Sequence, residues 1–404
     1  MSADGLTLLG ATNEDTRPLS RDLGLLGECL GLLFGSSHLT ATRCKLFAKP
    51  ELWASLLDIA LATGLASAVE AAIVQSGLLP SPRLAAGSSA LGLNLFQIKA
   101  AHQARRKKMR ERLVEVVSAL NHHGIEVILI KGAAHLWTDT PAWRSMRDLD
   151  IVVPMACAET AQNLLRKIGY RNAPDSERRP HHLENLVRDD LPGWIELHTS
   201  ASNERGERLL SSDTMRRHAI SSSLEGDSVR LLHPSHQVLH GLIHHHFSNR
   251  GAAYGVIAPK GLLEFAQGIA DLDAESLAML RLVAARHARL SAALDLWLAA
   301  ASDLFRIVGD DRWQSMPDAT ARWTAVRKRM EESDPCGLLN ALREDACMSL
   351  ARSRLAGAVE VGSHRNLATA VLHSVHTFLS ETPSSPQRRA EARRRATGFH
   401  LMPG

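Results

Sequence analysis

Apolar residues recur at helical spacing over Leu23 to Phe34, Pro50 to Ala62 and Leu65 to Gln75, so the chain is predicted to open with helices. Two breaker-rich stretches, Leu78 to Arg83 and Ala85 to Ser89, read as connections. A long helix follows from about Leu95 to His122 and stops at Gly124, with the basic block Arg105 to Arg112 on its exposed side. The period then changes. Val127 to Ile130 is short, continuous and β-branched, the pattern of a buried strand, and Asp148 to Val153 reads as a second strand closed by Pro154. Ala156 to Ile168 reads as a helix, and Leu183 to Val187 with Trp194 to His198 as a hairpin. From Leu209 onward only helices are expected: Ser235 to Phe247, Lys260 to Ile269, Glu275 to Ala288, Ser291 to Phe305, Ala319 to Met330, Leu338 to Leu355 and Leu367 to Leu379.

This pattern predicts an α+β chain in which a small core is enclosed by helical flanks. The expected divisions are an N-terminal helical region at 1–94, the α/β core at 95–205, a C-terminal helical domain at 206–382 and a mobile basic tail at 383–404. A 45% hydrophobic and 22% charged composition excludes wholesale disorder, and 4% aromatics with abundant Ala and Leu favours helices. The net charge of +4 does not by itself imply nucleic-acid binding, and the basic block reads as a solvated helix face. Five scattered cysteines (Cys29, Cys44, Cys157, Cys336, Cys347) lack C-x-x-C spacing, which argues against a disulfide framework and a zinc ribbon. The chain begins without a basic, apolar leader and contains no membrane-length apolar run, so a cytoplasmic protein with no membrane partner is expected.

The chemistry concentrates between residues 127 and 200. Asp148 and Asp150 lie two apart in a strand and so share a face. Two carboxylates on one face repel, and burying them is costly unless a cation joins them. Mg²⁺ suits such an oxygen-rich site and commonly bridges carboxylates to phosphates. Glu196 alternates with Ile195 and Leu197, so it shares a face with Trp194 and His198 and is the third acidic candidate. Lys131-Gly132 directly follows the first strand, where a glycine lets phosphate approach backbone N–H groups. Each signal has a duller reading as a solvated strand edge or ordinary turn. His236, His240 and His244 recur every four residues, but the glutamate of H-E-x-x-H is missing, which leaves zinc a minor alternative to a histidine helix facing the cleft.

Taken together, Leu129 to Gly132, Arg144, Asp148-Leu-Asp150, Gly169-Tyr170 and Ile195 to His198 resemble the uncharacterised nucleotidyltransferase family of the polymerase-β-like superfamily. The resemblance is clear from Ile125 to Ser200 and looser from Pro234 to Glu264. It implies a short mixed sheet with helices on one side, two Mg²⁺ ions and a nucleoside triphosphate. Asp148, Asp150 and Glu196 would be metal ligands and catalytic, with Glu196 drawing the acceptor's proton. Lys131, Gly132, Arg144 and Arg147 would bind the nucleotide, and His198 and His244 are accessory candidates. NMP would pass to an acceptor hydroxyl with release of pyrophosphate. One departure is Ala133, where better-known members of the superfamily carry a serine that holds phosphate. That keeps open a catalytically silent nucleotide-binding or regulatory protein. Nothing in the sequence chooses a sugar, small metabolite, protein or RNA acceptor, or an oligomeric state.

Overall fold

Strand alternation decides which way each strand residue points, and here it divides the molecule into two hydrophobic cores. The computed structural model describes residues 19–34, 53, 56–57, 60, 63–76, 95–146, 148–173, 176, 178–190, 193–249, 251–307 and 311–332. Among these, seven strands form one mixed sheet: β1 (Ile128–Leu129), β2 (Asp148–Val152), β3 (Arg171–Asn172), β4 (Leu186–Val187), β5 (Trp194–His198), β6 (Ile220–Leu224) and β7 (Asp227–Leu231). Their order is β3-β4-β5-β2-β1-β7-β6, with β2 parallel to β5 and antiparallel to β1.

Thirteen helices surround this sheet in the described residues. Before it come α1 (Leu19–Leu30), α2 (Ala66–Gln75) and α3 (Leu95–Asn121). Within it run α4 (Lys131–Thr138), α5 (Ala158–Lys167), α6 (Glu204–Glu207) and α7 (Ser212–Arg217). After it follow α8 (Pro234–Ile243), α9 (Gly251–Tyr254), α10 (Pro259–Asp271), α11 (Ala274–Ala285), α12 (Ala288–Leu304) and α13 (Pro317–Glu332). Leu149, Ile151, Ile195 and Leu197 point to one face and are buried with Leu113, Val116, Val117 and Leu120 of α3 and Leu165 of α5. Ile128 and Val152 point the other way, into a larger core with Leu239 of α8, Phe265 of α10 and Trp297 of α12. Asp148 and Asp150 alternate with Leu149 and Ile151, so they share the second face.

The helix at 95–122, the two strands before residue 160 and the hairpin ending at His198 agree with the sequence pattern. Beyond Leu209 the expectation of helices alone is corrected: β6 and β7 form a hairpin whose second strand runs parallel to β1, so the sheet continues past residue 205. Ile220-Ser-Ser-Ser-Leu224 lacks the apolar alternation of a strand because it is an exposed edge. Its turn was nevertheless readable. Glu225 and Gly226 both have positive φ (54° and 93°), as a two-residue hairpin turn of type I′ requires. The helix expected over Pro50 to Ala62 lies mostly outside the described residues; those at 338–355 and 367–379, and the tail, lie wholly outside them.

The basic block is a second correction. Its arginines do not form a solvated face but dock α3 onto the core. Arg105 Nε donates to the Met146 carbonyl at 3.0 Å, Arg110 Nη1 to the Leu136 carbonyl at 3.1 Å, and Arg106 pairs with Asp139 at 2.7 Å. Arg112 is fully buried, donates to the Gly193 carbonyl at 2.8 Å and stacks on the Tyr170 ring at 4.9 Å. A guanidinium suits this position because its planar fork reaches several acceptors at once. Arg112→Met keeps most of the volume but leaves buried carbonyls without a donor. It is expected to lower stability by about 2 kcal/mol, read as a reduced urea midpoint. An unchanged midpoint would mean that the guanidinium merely fills space.

Candidate active site

Parallel pairing of β2 with β5 sets Asp148 opposite Trp194, Asp150 opposite Glu196 and Val152 opposite His198. Register partners in adjacent strands point to the same face, so the strand geometry alone gathers two aspartates, a glutamate and a histidine. Asp150 is 1% exposed. Its Oδ1 accepts from Lys131 Nζ at 2.6 Å and lies 3.0 Å from His198 Nε2. The same imidazole nitrogen lies 3.4 Å from Glu196 Oε2, and Trp194 Nε1 donates to Glu196 Oε1 at 3.1 Å. His198 Nδ1 is buried with no hydrogen-bond partner.

These neighbours set the charges. Burial opposes ionisation of Asp150, but Lys131 and His198 outweigh it and hold its pKa well below the usual carboxylate range. Glu196 is lowered despite its burial, chiefly by the His198 hydrogen bond and then by Lys131. Asp148 moves the other way: burial, then Asp150 and Glu196, push it up to about 6. Lys131 and His198 are both raised, because the carboxylates outweigh the cost of burying a cation. Lys131 is also the residue at which the chain turns from strand into α4, with φ at 49°. A left-handed lysine costs roughly 1 kcal/mol or more, and here it brings the ammonium onto Asp150.

The group faces a cavity of about 960 Å³ between the sheet and helices α8 and α10. Lys131, Arg144, Asp148, Asp150, Glu196 and His198 all line it. Three donors, Asp150, Glu196 and His198, have ligand atoms within 4.8 Å of one another and are the only such metal-competent group among the described residues. Two carboxylates and one imidazole are a donor set that suits a divalent cation. The family model for uncharacterised nucleotidyltransferases matches residues 49–306.

This chain belongs to that family. No curated protein matches it. The matched span takes in the whole sheet and α8 to α12 besides, so the family's unit includes both walls of the cavity.

Other expected residues of this nucleotidyltransferase sit in varied places. Gly132 is buried and off the cavity wall; a Cβ there would lie 2.5 Å from Arg144 Nη1 and 3.2 Å from Met146 Cβ. The glycine thus makes room for the Arg144 side chain. Arg144 in turn pairs with Glu264 of α10, Nε to Oε1 and Nη2 to Oε2, each at 3.0 Å. Arg147 lies outside the described residues. His244 lines the cavity from the start of a π-helical turn (His244–Ser248) that continues α8, and His240 Nε2 meets the Ala201 carbonyl at 2.8 Å. His236, by contrast, is fully buried and off the cavity wall, and His236, His240 and His244 do not converge with a further donor among the described residues. His181 and His182, assigned no role from sequence, pack beside His198 with ring centroids at 6.2 and 5.5 Å. Glu264 and Lys260 were missed: both are single charged residues in a helix, and only the tertiary fold brings them to the core. Lys260 donates to the Ser145 carbonyl at 2.6 Å.

Burial opposes the Glu264 carboxylate, yet Arg144 and Lys260 hold its pKa at about 2. A pKa depressed in the folded state adds stability that is complete above the ordinary 4.5 and fades as pH falls toward 2. Glu264→Ala strands the Arg144 guanidinium and is expected to cost roughly 3 kcal/mol near neutral pH, much of it recovered by adding Arg144→Met. The cost of the single substitution should shrink in urea unfolding as pH is lowered through that window. A cost independent of pH would show that the pair contributes packing rather than charge.

Proposed function

We propose that this chain transfers an NMP unit from a nucleoside triphosphate to an acceptor hydroxyl and releases pyrophosphate, with Mg²⁺ or a similar divalent cation as cofactor. The observation that carries this reading is the in-register pair Asp150 and Glu196, held beside Lys131 on a cavity wall. Asp148, Asp150 and Glu196 are the residues that would hold the cation. Once bound, a divalent cation supplies charge neutralisation at the phosphates and acidifies the attacking hydroxyl. Lys131 is the counter-charge: with its bond to Asp150 released, its ammonium would reach the triphosphate. Arg144, fixed by Glu264 and given room by Gly132, presents a second positive group to the cavity.

In the reaction the acceptor oxygen forms a bond to the α-phosphorus while the bond from that phosphorus to the bridging oxygen breaks. Pyrophosphate leaves with the bonding pair, and the hydroxyl proton passes to Glu196.

The acceptor is read as a compact molecule rather than an RNA end. Arg105, Arg106, Arg110 and Arg112 are engaged with core carbonyls or Asp139, and no described residue from Arg105 to Arg112 is on the cavity wall. The cavity wall offers the amides Gln237, Asn249 and Gln267, which hydrogen-bond hydroxyls, beside the cations Lys131, Arg144 and Lys260. A silent nucleotide-binding protein is the second reading. The ion pair of Lys131 on Asp150, the oxygen a cation needs, supports it.

Incubation with Mg²⁺, each labelled triphosphate and a panel of hydroxylated acceptors separates the two. Pyrophosphate release that falls at least roughly a hundredfold in Asp150→Asn, with the circular dichroism spectrum retained, supports the enzyme. Weak dependence of turnover on salt supports a small acceptor, whereas a steep fall in acceptor affinity with salt would point to a nucleic acid. Triphosphate binding without turnover across the panel would establish the silent protein.

A further inference from the structure

Carboxylate spacing in the sequence couples Asp148 to Asp150, but the donor atoms that converge are those of Asp150, Glu196 and His198. The imidazole is held from several sides. It sits at the end of β5 opposite Val152, is 3% exposed, and packs against the rings of His181 and His182. Its Nε2 stands between the two carboxylates, 3.0 Å from one and 3.4 Å from the other. Neighbouring ligands around an octahedral ion with bonds near 2.1 Å are separated by √2 times that length, about 3 Å. The spacings observed, which are those of a hydrogen bond and an ion pair, are close enough to this for a cation to take the place of the shared proton. Nδ1 meets no other group, so the Nε2 proton that faces the two carboxylates is the one a cation would displace, leaving the ring protonated at Nδ1.

We propose that His198 is itself a ligand of the divalent cation, so that this nucleotidyltransferase binds one ion through a nitrogen and two carboxylates and prefers Mn²⁺ to Mg²⁺ at that position. This rests on the metal-dependent reading above. Magnesium is a hard ion that favours oxygen, whereas imidazole suits later first-row metals; Mn²⁺ accepts both donor types and keeps octahedral geometry. Asp148 is then left to serve, with Asp150, the second cation that acts at the phosphates. The site differs in this respect from one built of three carboxylates.

The test uses the full-length protein and metal alone, without nucleotide. Titration with Mn²⁺ followed by pulsed electron paramagnetic resonance is expected to give the modulation of one directly coordinated ¹⁴N. His198→Gln should abolish the modulation and weaken Mn²⁺ binding by roughly 10–100-fold. His198→Asp, which restores an all-oxygen site, should bring Mn²⁺ and Mg²⁺ affinities closer together. Mn²⁺ binding that is lost in Asp150→Asn but shows no nitrogen modulation in the wild type overturns the His198 assignment and leaves the nucleotidyl-transfer reading standing. Failure to bind either metal overturns both.

Discussion

Two carboxylates in register on adjacent parallel strands, one of them almost wholly shielded from water, are the constraint around which the site is arranged. At separations within 4.8 Å, two negative charges repel by roughly 3–4 kcal/mol in a medium of effective dielectric 20. An apolar replacement would remove that penalty, so the fold carries it for a reason other than stability. The compensation comes from two cations drawn from different places: Lys131 at the strand-to-helix turn and His198 two residues beyond Glu196. Both are raised in pKa by the acids they serve, and both acids are lowered in return. Asp148 receives less of this support, and its pKa is pushed up to about 6. The arrangement is balanced only while positive charge is present, which is the condition a cation-binding site should meet.

The same alternation that creates the cluster also isolates it. Every second residue of β2 and β5 goes into the core beneath α3 and α5, which makes that side of the sheet rigid and dry. The opposite side is covered by helices that contribute polar groups as well as apolar ones, leaving a cavity and not a second seamless core. The Arg144–Glu264 pair ties the two walls together across this space. Its position also explains why a glycine is needed at 132: the guanidinium occupies the volume that any side chain there would take. A residue expected to serve the phosphates through its backbone thus serves a charged side chain that faces the same cavity.

How much of this was legible follows from how local each feature is. Asp148, Asp150 and Glu196 were readable because strand period and burial pattern act over two or three residues. The pairing of Glu196 with Asp150, and not with Asp148, was not, since register between strands 46 residues apart depends on the whole sheet. The β6–β7 hairpin escaped because an exposed edge strand carries no apolar alternation; only its Glu225-Gly226 turn marks it. The basic block misled for a related reason. A row of arginines reads as a solvated face unless the carbonyls they serve can be seen, and those come from α4 and from loops, 26 to 81 residues away. Glu264 had no local signature at all.

His198 illustrates what tertiary placement adds to a motif. In sequence it is a histidine on the same strand face as an acid, equally compatible with a hydrogen-bonding prop. In the fold, Nε2 meets two carboxylates, Nδ1 meets nothing, and two further imidazoles pack against the ring. A prop whose only task was to donate one hydrogen bond would not need the second carboxylate. A second carboxylate at the same nitrogen is intelligible if a cation binds between the acids and the ring. Side chains that look underpartnered beside a balanced charge cluster are, on this reasoning, the place to look for what the protein binds.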